Sequence, residues 1–235
     1  FFDIDGTLLD HKGAERAAAL AFQKNHAEVF PEPADAFVAR WHAVAEKHLR
    51  RHFAGELSFQ DQRRSRLREL FTARSSFSDA DADGLFAGYV KRYEEHWALY
   101  PDVMPCLAEL GGQRLGVISN GDPRQQREKL AKLGIAERFS VVLISGDIGC
   151  AKPDAGIFHA ACNAAGETPE MCVYVGDDFD AYAIGSRQTG MTGIWLNRGN
   201  RCQSDEGPTI KTLGDLKRQM ESYKTVQRTS QALGR

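Results

Sequence analysis

Four short polar motifs carry the residues of this chain that could do chemistry, and each borders an apolar run. They are FFDIDGTLLD at residues 1–10, VISNGD at 117–122, AKPD at 151–154 and YVGDDFD at 174–180. The apolar runs are β-prone, so they predict strands. Because open α/β sheets build their sites just past the carboxyl ends of parallel strands, we expect the four motifs to meet there. This layout leads us to expect phosphoryl-transfer chemistry.

The first motif combines two carboxylates with a glycine turn. Asp3 and Asp5 lie two residues apart, so both side chains leave the strand end on the same side. Gly6 permits a turn in which backbone amides approach a phosphate closely. Taken alone, the motif also fits an ordinary Asp-Gly turn in which Asp5 acts as a cap. The presence of the other three motifs favours the functional interpretation.

The second and third motifs offer groups that hold phosphoryl oxygens. Ser119 and Asn120 precede a helix that we expect to begin near Pro123, and hydroxyls and amides at a helix start bind such oxygens without formal charge. Lys152 precedes Pro153, which we expect at the first position of the KPDAGIF helix. A lysine there neutralises a carboxylate and phosphoryl oxygens that otherwise repel each other. Taken singly, S-N-G is a common turn, and such a lysine is usually a solvated surface residue.

The fourth motif supplies carboxylates for a metal ion. Asp177 and Asp178 end an apolar run, and Asp180 follows closely. A hard divalent cation such as Mg²⁺ takes oxygen ligands of this kind. We therefore expect Mg²⁺ to bind at this end of the sheet.

In this order and at these distances, the motifs resemble those of the haloacid dehalogenase (HAD) superfamily, most closely its small-molecule phosphatase branch with a helical cap. The resemblance implies that Asp3 is the nucleophile that becomes an aspartyl-phosphate, and that Asp5 protonates the leaving oxygen and then activates water. It implies Lys152 as the third catalytic residue. The implied phosphate-binding residues are Gly6, Thr7, Ser119, Asn120 and Lys152. The implied Mg²⁺ ligands are the Asp3 carboxylate, the Asp5 backbone carbonyl and the Asp177 carboxylate, with Asp178 in the outer shell.

One position departs from a common pattern of this family, in which a second acidic residue lies five positions after the first. Counted from Asp177, that position is Tyr182. Some members carry adjacent aspartates instead, so Asp178 is the residue that we expect in the outer-shell role.

The spacing of the motifs predicts one α/β domain interrupted by a helical insertion. Residues from about 14 to 97 are helical in pattern, with loop signals at PEPAD and near SSFSDADADG. Strands and helices then alternate, and the strand candidates are RLGVIS, SVVLIS, CVYVG and TGIWLN. Such alternation predicts a Rossmann-like parallel sheet with helices on both faces. The predicted domains are a core of 1–13 and 99–222 and a helical cap of 14–98, with a frayed tail at 223–235.

Composition favours a small phosphorylated substrate over a macromolecular partner. The 235 residues include 30 basic and 32 acidic side chains with a net charge of −2, which points to neither a nucleic-acid polymer nor a membrane surface. No apolar run approaches the roughly 18 residues of a membrane span. Five cysteines without a C-x-x-C pair argue against a disulfide framework and suit a reducing cytoplasm. We expect a cytoplasmic monomer or homodimer.

The predicted cap contains no clear site. His48 and His52 have the i, i+4 spacing of a metal pair, but without a nearby carboxylate motif they are interpreted as a solvated helix face. The basic run RRSRLREL is likewise interpreted as a hydrated face. Aromatic residues in and next to the cap have the helical spacing of core residues rather than of a pocket for a base or sugar; they are Phe22, Trp41, Phe53, Trp97 and Tyr100.

The leading prediction is a Mg²⁺-dependent phosphomonoester hydrolase acting on a small phosphorylated metabolite. The stretches VVLISGDIGCAKPDAGIF and GIWLNRG resemble pyrimidine 5′-nucleotidases, so a nucleoside monophosphate is the first substrate expected. Sugar-phosphate phosphatase and phosphomutase activities are alternatives, since a mutase keeps Asp5 and a similar cap. A haloacid dehalogenase is less favoured, because members of that branch generally lack an aspartate at the position of Asp5. A last alternative is a non-catalytic module with this fold, and Tyr182 is the only residue that supports it.

Overall fold

Two compact units make up the protein. The structure, a computed structural model, describes residues 1–71, 77–179, 184–201 and 207–222. One unit comprises Phe1–Asp10 and Ala98–Arg235, and the other comprises His11–Trp97. The role of the helical unit as a cap, with limits at 14 and 98, stays a prediction. The predictions that fall outside the described ranges concern Asp180, Tyr182 and the tail 223–235, and the fifth cysteine, Cys202, lies outside them too.

Over its described residues, the helical unit forms α1 (His11–Asn25), α2 (Ala34–Phe53), α3 (Phe59–Leu70) and α4 (Asp79–Glu95). Serine caps begin the last two helices: the Ser58 hydroxyl accepts from Asp61 N at 3.0 Å and the Ser78 hydroxyl from Asp81 N at 3.1 Å. The Asp81 carboxylate accepts in turn from the Ser78 N–H, which completes a capping box. The loop predicted near SSFSDADADG therefore extends too far, because this cap starts α4 at Asp79.

Aromatic side chains fill the helical unit. The rings of Phe22 and Trp41 lie 5.0 Å apart, and both residues are buried together with Trp97. These burials confirm the prediction that the three aromatic residues belong to the core. The Phe53 side chain lies outside the described part of the chain, and Tyr100 is half-buried in the other unit.

Two polar residues of the helical unit are buried against expectation. His48 is 4% exposed, and its Nε2 lies 2.8 Å from Glu69 Oε2. Arg66 is 7% exposed, with its guanidinium carbon 5.2 Å from the centroid of the Phe86 ring. Helices α2 and α3 pack against each other, so faces that look polar in the sequence lie inside. The solvated-face interpretation is therefore wrong for His48 and for Arg66 within the basic run.

A parallel sheet forms the centre of the other unit. Its strands are β1 (Gly116–Ser119), β2 (Val141–Ile144), β3 (Val173–Gly176), β4 (Thr192–Leu196) and β5 (Thr209–Ile210). β1 pairs with β2, β3 with β4 and β4 with β5, all in parallel. Each predicted strand candidate contains one of the first four strands, and the predicted fold class, an α/β parallel sheet with an inserted helical region, is confirmed. β5 is too short to give a sequence pattern.

The first motif joins the two halves of this sheet. Phe2 forms parallel bridges with Val117 of β1 and with Val175 of β3. Its N–H donates to Gly116 O at 2.9 Å, and its carbonyl accepts from Ile118 N at 3.0 Å. The predicted strand is thus reduced to isolated bridges, because the chain turns away directly after Asp3. The resulting order, β2-β1-(1–3)-β3-β4-β5, puts three motifs at neighbouring strand ends.

The helices of this unit include α5 (Val103–Glu109), α6 (Pro123–Lys132), α7 (Ser145–Ile148), α8 (Ala155–Ala165) and α9 (Ile184–Gln188), and residues 216–222 are helical as well. α6 begins at Pro123, as predicted. α8 begins at Ala155, because Asp154 is its N-cap and accepts from Gly156 N at 2.7 Å. Pro153 lies before this cap, so the predicted helix start at Pro153 is wrong.

Arg198 connects three loops of the α/β unit. Its guanidinium donates to Asp102 at 2.8 and 2.9 Å and to Thr7 O at 2.9 Å, and its carbon lies 3.9 Å from the Tyr100 ring centroid. Asp102 also accepts from Leu213 N at 2.9 Å. Burial acts to raise the pKa of Asp102, but these hydrogen bonds hold it below its ordinary value. Arg198 therefore anchors the turn that follows the first motif.

Thiols and helix lengths complete the description of the fold. Within the described residues the cysteines are free thiols; they are Cys106, Cys150, Cys162 and Cys172. In the same part of the chain, no helix combines the length and apolarity needed to cross a bilayer.

Candidate active site

Asp3 is held through one of its two carboxylate oxygens. Its Oδ1 accepts from Ile4 N at 2.8 Å and from Ser119 Oγ at 3.2 Å, and it lies 2.8 Å from Lys152 Nζ. The residue is only 3% exposed. Among the described residues, no hydrogen bond is made to Oδ2. Oδ2 is therefore the oxygen that is free to attack a substrate or to bind a metal ion.

Lys152 places a buried cation against Asp3. Its ammonium also donates to Ile118 O and to the Tyr174 hydroxyl, both at 2.9 Å. Burial lowers the pKa of Lys152, while nearby carboxylates act to raise it. Burial likewise raises the pKa of Asp3, and the Lys152 ammonium opposes that shift. The two groups thus stabilise each other's charged form in a place where water does not.

Asn120 fixes the backbone that carries Lys152. Its Nδ2 donates to Lys152 O at 3.0 Å, and its Oδ1 accepts from Lys152 N at 2.8 Å. The side chain is therefore committed to positioning the third motif. The phosphate-binding role expected of Asn120 would therefore belong to its backbone N–H, and that role stays a prediction.

Asp5 is bound by two residues that the sequence interpretation did not single out. Lys129 Nζ lies 2.7 Å from Asp5 Oδ1 and 2.8 Å from Oδ2, and Gln126 Nε2 donates to Oδ2 at 2.9 Å. Both residues are on α6, three positions apart and thus on one face of the helix. That face also buries Leu130. The sequence offered one sign of Gln126 and Lys129: they are polar residues on the apolar face of an amphipathic helix that starts directly after the second motif.

Gly6 makes room for the Asp177 carboxylate. Its backbone has φ +79°, and a Cβ at this position would lie 2.5 Å from Asp177 Oδ2. The Asp177 carbonyl is fixed separately, since it accepts from Trp195 Nε1 at 3.0 Å and from Arg201 Nη2 at 2.6 Å. A glycine is therefore required at position 6 for the fourth motif to reach the first.

Two backbone amides of the turn after Asp5 donate to carbonyl oxygens of the same turn. Gly6 N donates to Leu9 O at 3.0 Å, and Thr7 N donates to Ile4 O at 3.3 Å. The Thr7 hydroxyl is buried and has no hydrogen-bond partner among the described residues. Two amides of the turn thus donate within the turn itself, and the expected role of Gly6 and Thr7 in binding phosphate stays a prediction. The structure also gives Gly6 a steric role toward Asp177.

The Mg²⁺ ligands implied by the family resemblance all offer oxygen atoms. Within the described residues, no group of three or more His, Cys, Asp or Glu side chains is placed to hold a metal ion. The implied set needs only two side chains, Asp3 and Asp177, because its third donor is the Asp5 carbonyl. All three donors are oxygen and Gly6 admits the Asp177 carboxylate, so the residues fit a hard cation. Asp178 is half-buried, and its outer-shell role stays a prediction.

Side chains from all four motifs meet at the carboxyl ends of the central strands. Ser119 of the second motif and Lys152 of the third both contact Asp3 of the first. Asp5 and Asp177 lie close enough to Lys152 for their charges to raise its pKa. The motifs thus converge as the strand-end rule predicts, whereas the chemical roles of these residues stay predictions.

Sequence comparisons find a matching family model and relatives that are named as phosphatases and as a nucleotidase. A family model described as haloacid dehalogenase-like hydrolase matches residues 1–185. Phosphoserine phosphatase from Thermus thermophilus is 39% identical over 128 residues, 54% of this chain and 51% of the relative, so the chain spans about half of it. Glyceraldehyde 3-phosphate phosphatase from Methanothermobacter thermautotrophicus is 32% identical over 202 residues, 84% of each protein. Pyrimidine 5′-nucleotidase YjjG from Escherichia coli is 32% identical over 96 residues, 40% of this chain and 43% of the relative.

Solved structures share the fold. A crystal structure of the HAD hydrolase YfnB from Bacillus subtilis bound to magnesium matches with a TM-score of 0.75 and 22% identity, over 92% of this chain and 94% of that one. At this level of identity the likeness shows the fold alone. The family match, in contrast, covers well over half of the sequence and confirms the resemblance carried by the four motifs. The chain belongs to the haloacid dehalogenase-like hydrolases.

Proposed function

We propose that the protein is a Mg²⁺-dependent phosphomonoester hydrolase that works through an aspartyl-phosphate on Asp3. The observation that carries this proposal is the asymmetric hold on the Asp3 carboxylate. Lys152, Ser119 and Ile4 N all contact Oδ1, and no hydrogen bond from the described residues engages Oδ2. A carboxylate fixed in this way has one oriented oxygen for attack, next to a cation that offsets the charge of a phosphoryl group.

The proposed reaction has two steps. In the first, an Asp3 oxygen attacks phosphorus, the bond from phosphorus to the leaving oxygen breaks, and Asp5 donates a proton to that oxygen. In the second, Asp5 takes a proton from water, the water oxygen attacks phosphorus, and the bond to Asp3 breaks. The products are the dephosphorylated alcohol and inorganic phosphate, and Asp3 and Asp5 return to their starting states.

Each remaining site residue has a role in this proposal. Lys152 and Ser119 stabilise the phosphoryl oxygens while they hold Asp3. Asp3, Asp177 and the Asp5 carbonyl hold Mg²⁺, which shields the negative charge of the phosphoryl group when bound. Asp178 supports the metal from the outer shell.

The proposed substrate is a small phosphorylated metabolite, with a nucleoside monophosphate tested first. The relatives carry names that refer to phosphoserine, glyceraldehyde 3-phosphate and pyrimidine nucleotides, so the substrate panel includes amino-acid, sugar and nucleoside phosphates. We further propose that the enzyme acts in the cytoplasm as a monomer or homodimer, without a nucleic-acid polymer or a membrane as a partner. The presence of Asp5 counts against a dehalogenase, which has no leaving oxygen to protonate.

The test is phosphate release from this panel and from p-nitrophenyl phosphate, with Mg²⁺ and with EDTA, for the wild type and for Asp3→Asn. Release that requires Mg²⁺ and is lost in the variant supports the proposal and identifies the substrate class. Release that is equal in both proteins would exclude Asp3 as the nucleophile. No release from any substrate would reject the phosphatase, and isomerised sugar phosphate or halide release would then identify a mutase or a dehalogenase.

A further inference from the structure

Helix α6 directs two buried polar side chains at Asp5. Gln126 and Lys129 are each 2% exposed, although long polar side chains are normally solvated. Lys129 contacts both oxygens of the Asp5 carboxylate, at 2.7 and 2.8 Å. The Lys129 side chain is 3% exposed and that of Asp5 is 27% exposed, so the carboxylate keeps one side open while the ammonium lies behind it. This arrangement places a fixed cation on the side of Asp5 that is away from solvent.

Gln126 connects Asp5 with the serine of the second motif. Its Nε2 lies 2.9 Å from each of three acceptors, Asp5 Oδ2, Ser119 Oγ and Asn120 O. The Ser119 hydroxyl lies in turn 3.2 Å from Asp3 Oδ1. Because Gln126 donates to Ser119 Oγ, the hydroxyl proton is left for another acceptor, and Asp3 Oδ1 at 3.2 Å is nearer than Asn120 O at 3.4 Å. One amide thus fixes the orientation of groups on both sides of the site.

Burying the polar side chains of Lys129 and Gln126 has a cost in folding free energy. A role in orienting the groups of the site would explain why the two residues are there. Burying a lysine ammonium carries a desolvation penalty, and an apolar residue of similar size often serves a helix face equally well. Gln126 Oε1 is buried without a hydrogen-bond partner among the described residues, which is a further cost. The same side chain nevertheless keeps all three of its Nε2 contacts, and all three lie at the site.

We propose that Lys129 and Gln126 are positioning residues that hold the Asp5 carboxylate in one orientation for proton transfer. The proposal rests on the proposed role of Asp5 as the acid and base of a phosphomonoester hydrolase. Without Lys129, the Asp5 side chain gains rotational freedom and is repelled by the neighbouring Asp3 carboxylate. A misplacement of a catalytic group by about 1 Å lowers rates by roughly 10²-fold. Lys129 therefore acts on the reaction only through Asp5.

The test compares Lys129→Met with Asp5→Asn and with the double variant. We expect Lys129→Met to lower kcat for an alkyl phosphate by roughly 10- to 100-fold with KM nearly unchanged, because the substrate-binding groups stay in place. In the Asp5→Asn background, the same substitution is expected to cause little further loss. Such non-additivity is the signature of two residues that act as one unit.

A second readout separates positioning from a general loss of structure. Asp5→Asn is expected to slow the hydrolysis of an alkyl phosphate more than that of p-nitrophenyl phosphate. The alkyl leaving group needs a proton, whereas the p-nitrophenyl leaving group does not. Lys129→Met should shift the ratio of the two rates in the same direction, and Lys129→Arg should restore part of the lost rate. Lys132→Met, on an exposed position of the same helix, is the matched control and should leave both rates unchanged. If Lys129→Met does not fold, Lys129→Gln is measured in its place.

The outcomes distinguish the two proposals. Equal fractional losses in the wild-type and Asp5→Asn backgrounds, or equal losses for alkyl and aryl substrates, would overturn the positioning role while leaving the phosphatase intact. Full activity in Lys129→Met would overturn it too. A wild type that releases no phosphate from any substrate would instead reject the proposed function itself.

Discussion

The side chain of Asn120 binds the backbone of Lys152 on both sides of the residue, donating to its carbonyl oxygen at 3.0 Å and accepting from its N–H at 2.8 Å. The two residues are 32 positions apart and come from different motifs. A backbone held at both its donor and its acceptor has little freedom to rotate. The position of the buried Lys152 ammonium against Asp3 therefore depends on a side chain that itself contacts neither group.

Asn120→Ala should lower kcat by about 10-fold or more, because the Lys152 ammonium would no longer be held at Asp3. It should also lower the free energy of unfolding by about 1–3 kcal/mol, since two hydrogen bonds are lost. Steady-state kinetics and urea unfolding check both values. A variant with wild-type kcat would show that Lys152 is placed without Asn120.

Asp3→Asn should lower kcat by roughly 10³-fold or more while the protein stays folded, because the amide keeps the shape of the side chain but is no nucleophile. The buried Lys152 loses its charged partner, so we expect unfolding to become easier by about 1–3 kcal/mol. Circular dichroism and phosphate release measure the two effects. Residual activity above about one tenth of the wild type would contradict the assignment of the nucleophile.

Gly6→Ala should raise the Mg²⁺ concentration needed for half-maximal activity, because the new Cβ would displace the Asp177 carboxylate. The matched control is Gly134→Ala. Gly134 has φ +70°, close to the +79° of Gly6, but its added Cβ would meet nothing within 4 Å. Both variants carry the backbone strain of about 1 kcal/mol or more, and only the first carries the clash. Equal Mg²⁺ requirements in the two variants would show that Asp177 is not a ligand.

Arg198→Met should make stability less sensitive to acid. The pKa of Asp102 is lowered in the folded protein, so its stabilising effect is present above its unfolded pKa of about 3.9 and is lost as pH falls through the folded value. The variant lacks the guanidinium that lowers this pKa. We therefore expect the difference in unfolding free energy between the wild type and the variant to narrow between pH 6 and pH 3. A constant difference over that interval would show that Asp102 is not the group involved.

The sequence predicted those parts of the site that follow from strand ends. Ser119 is the last residue of β1, while Asp3 and Asp177 come directly after a bridge and a strand, and parallel strands bring such residues to one edge. Lys152 was found through its motif, since it lies in a loop before α8. These predictions needed only the order of apolar runs and polar residues along the chain.

The parts that the sequence did not predict depend on how side chains use tertiary space. Gln126 and Lys129 are polar residues on the face of α6 that carries Leu130, and the sequence does not show that their side chains are buried there. Arg66 was interpreted in the same way as solvated, and it too is buried. The internal hydrogen bonds of the turn at Gly6 and Thr7 could not be predicted either, because a turn residue shows nothing in sequence about where its N–H donates.

The bridging position of Phe2 has a consequence for how the protein is made. Asp3 is synthesised well before its neighbours in the sheet, because Ser119 lies 116 residues after Asp3, and Val173, whose carbonyl accepts from the Phe1 nitrogen, lies 172 residues after Phe1. At typical rates of synthesis, about 10–35 s pass before both neighbours exist. During this interval the helical region can form from local contacts, whereas residues 1–3 lack one or both of the strands that they pair with, β1 and β3. A nascent chain that ends before β3 therefore carries Asp3 but lacks Asp177, so the proposed reaction would begin only after β3 has been made and has paired with residues 1–3.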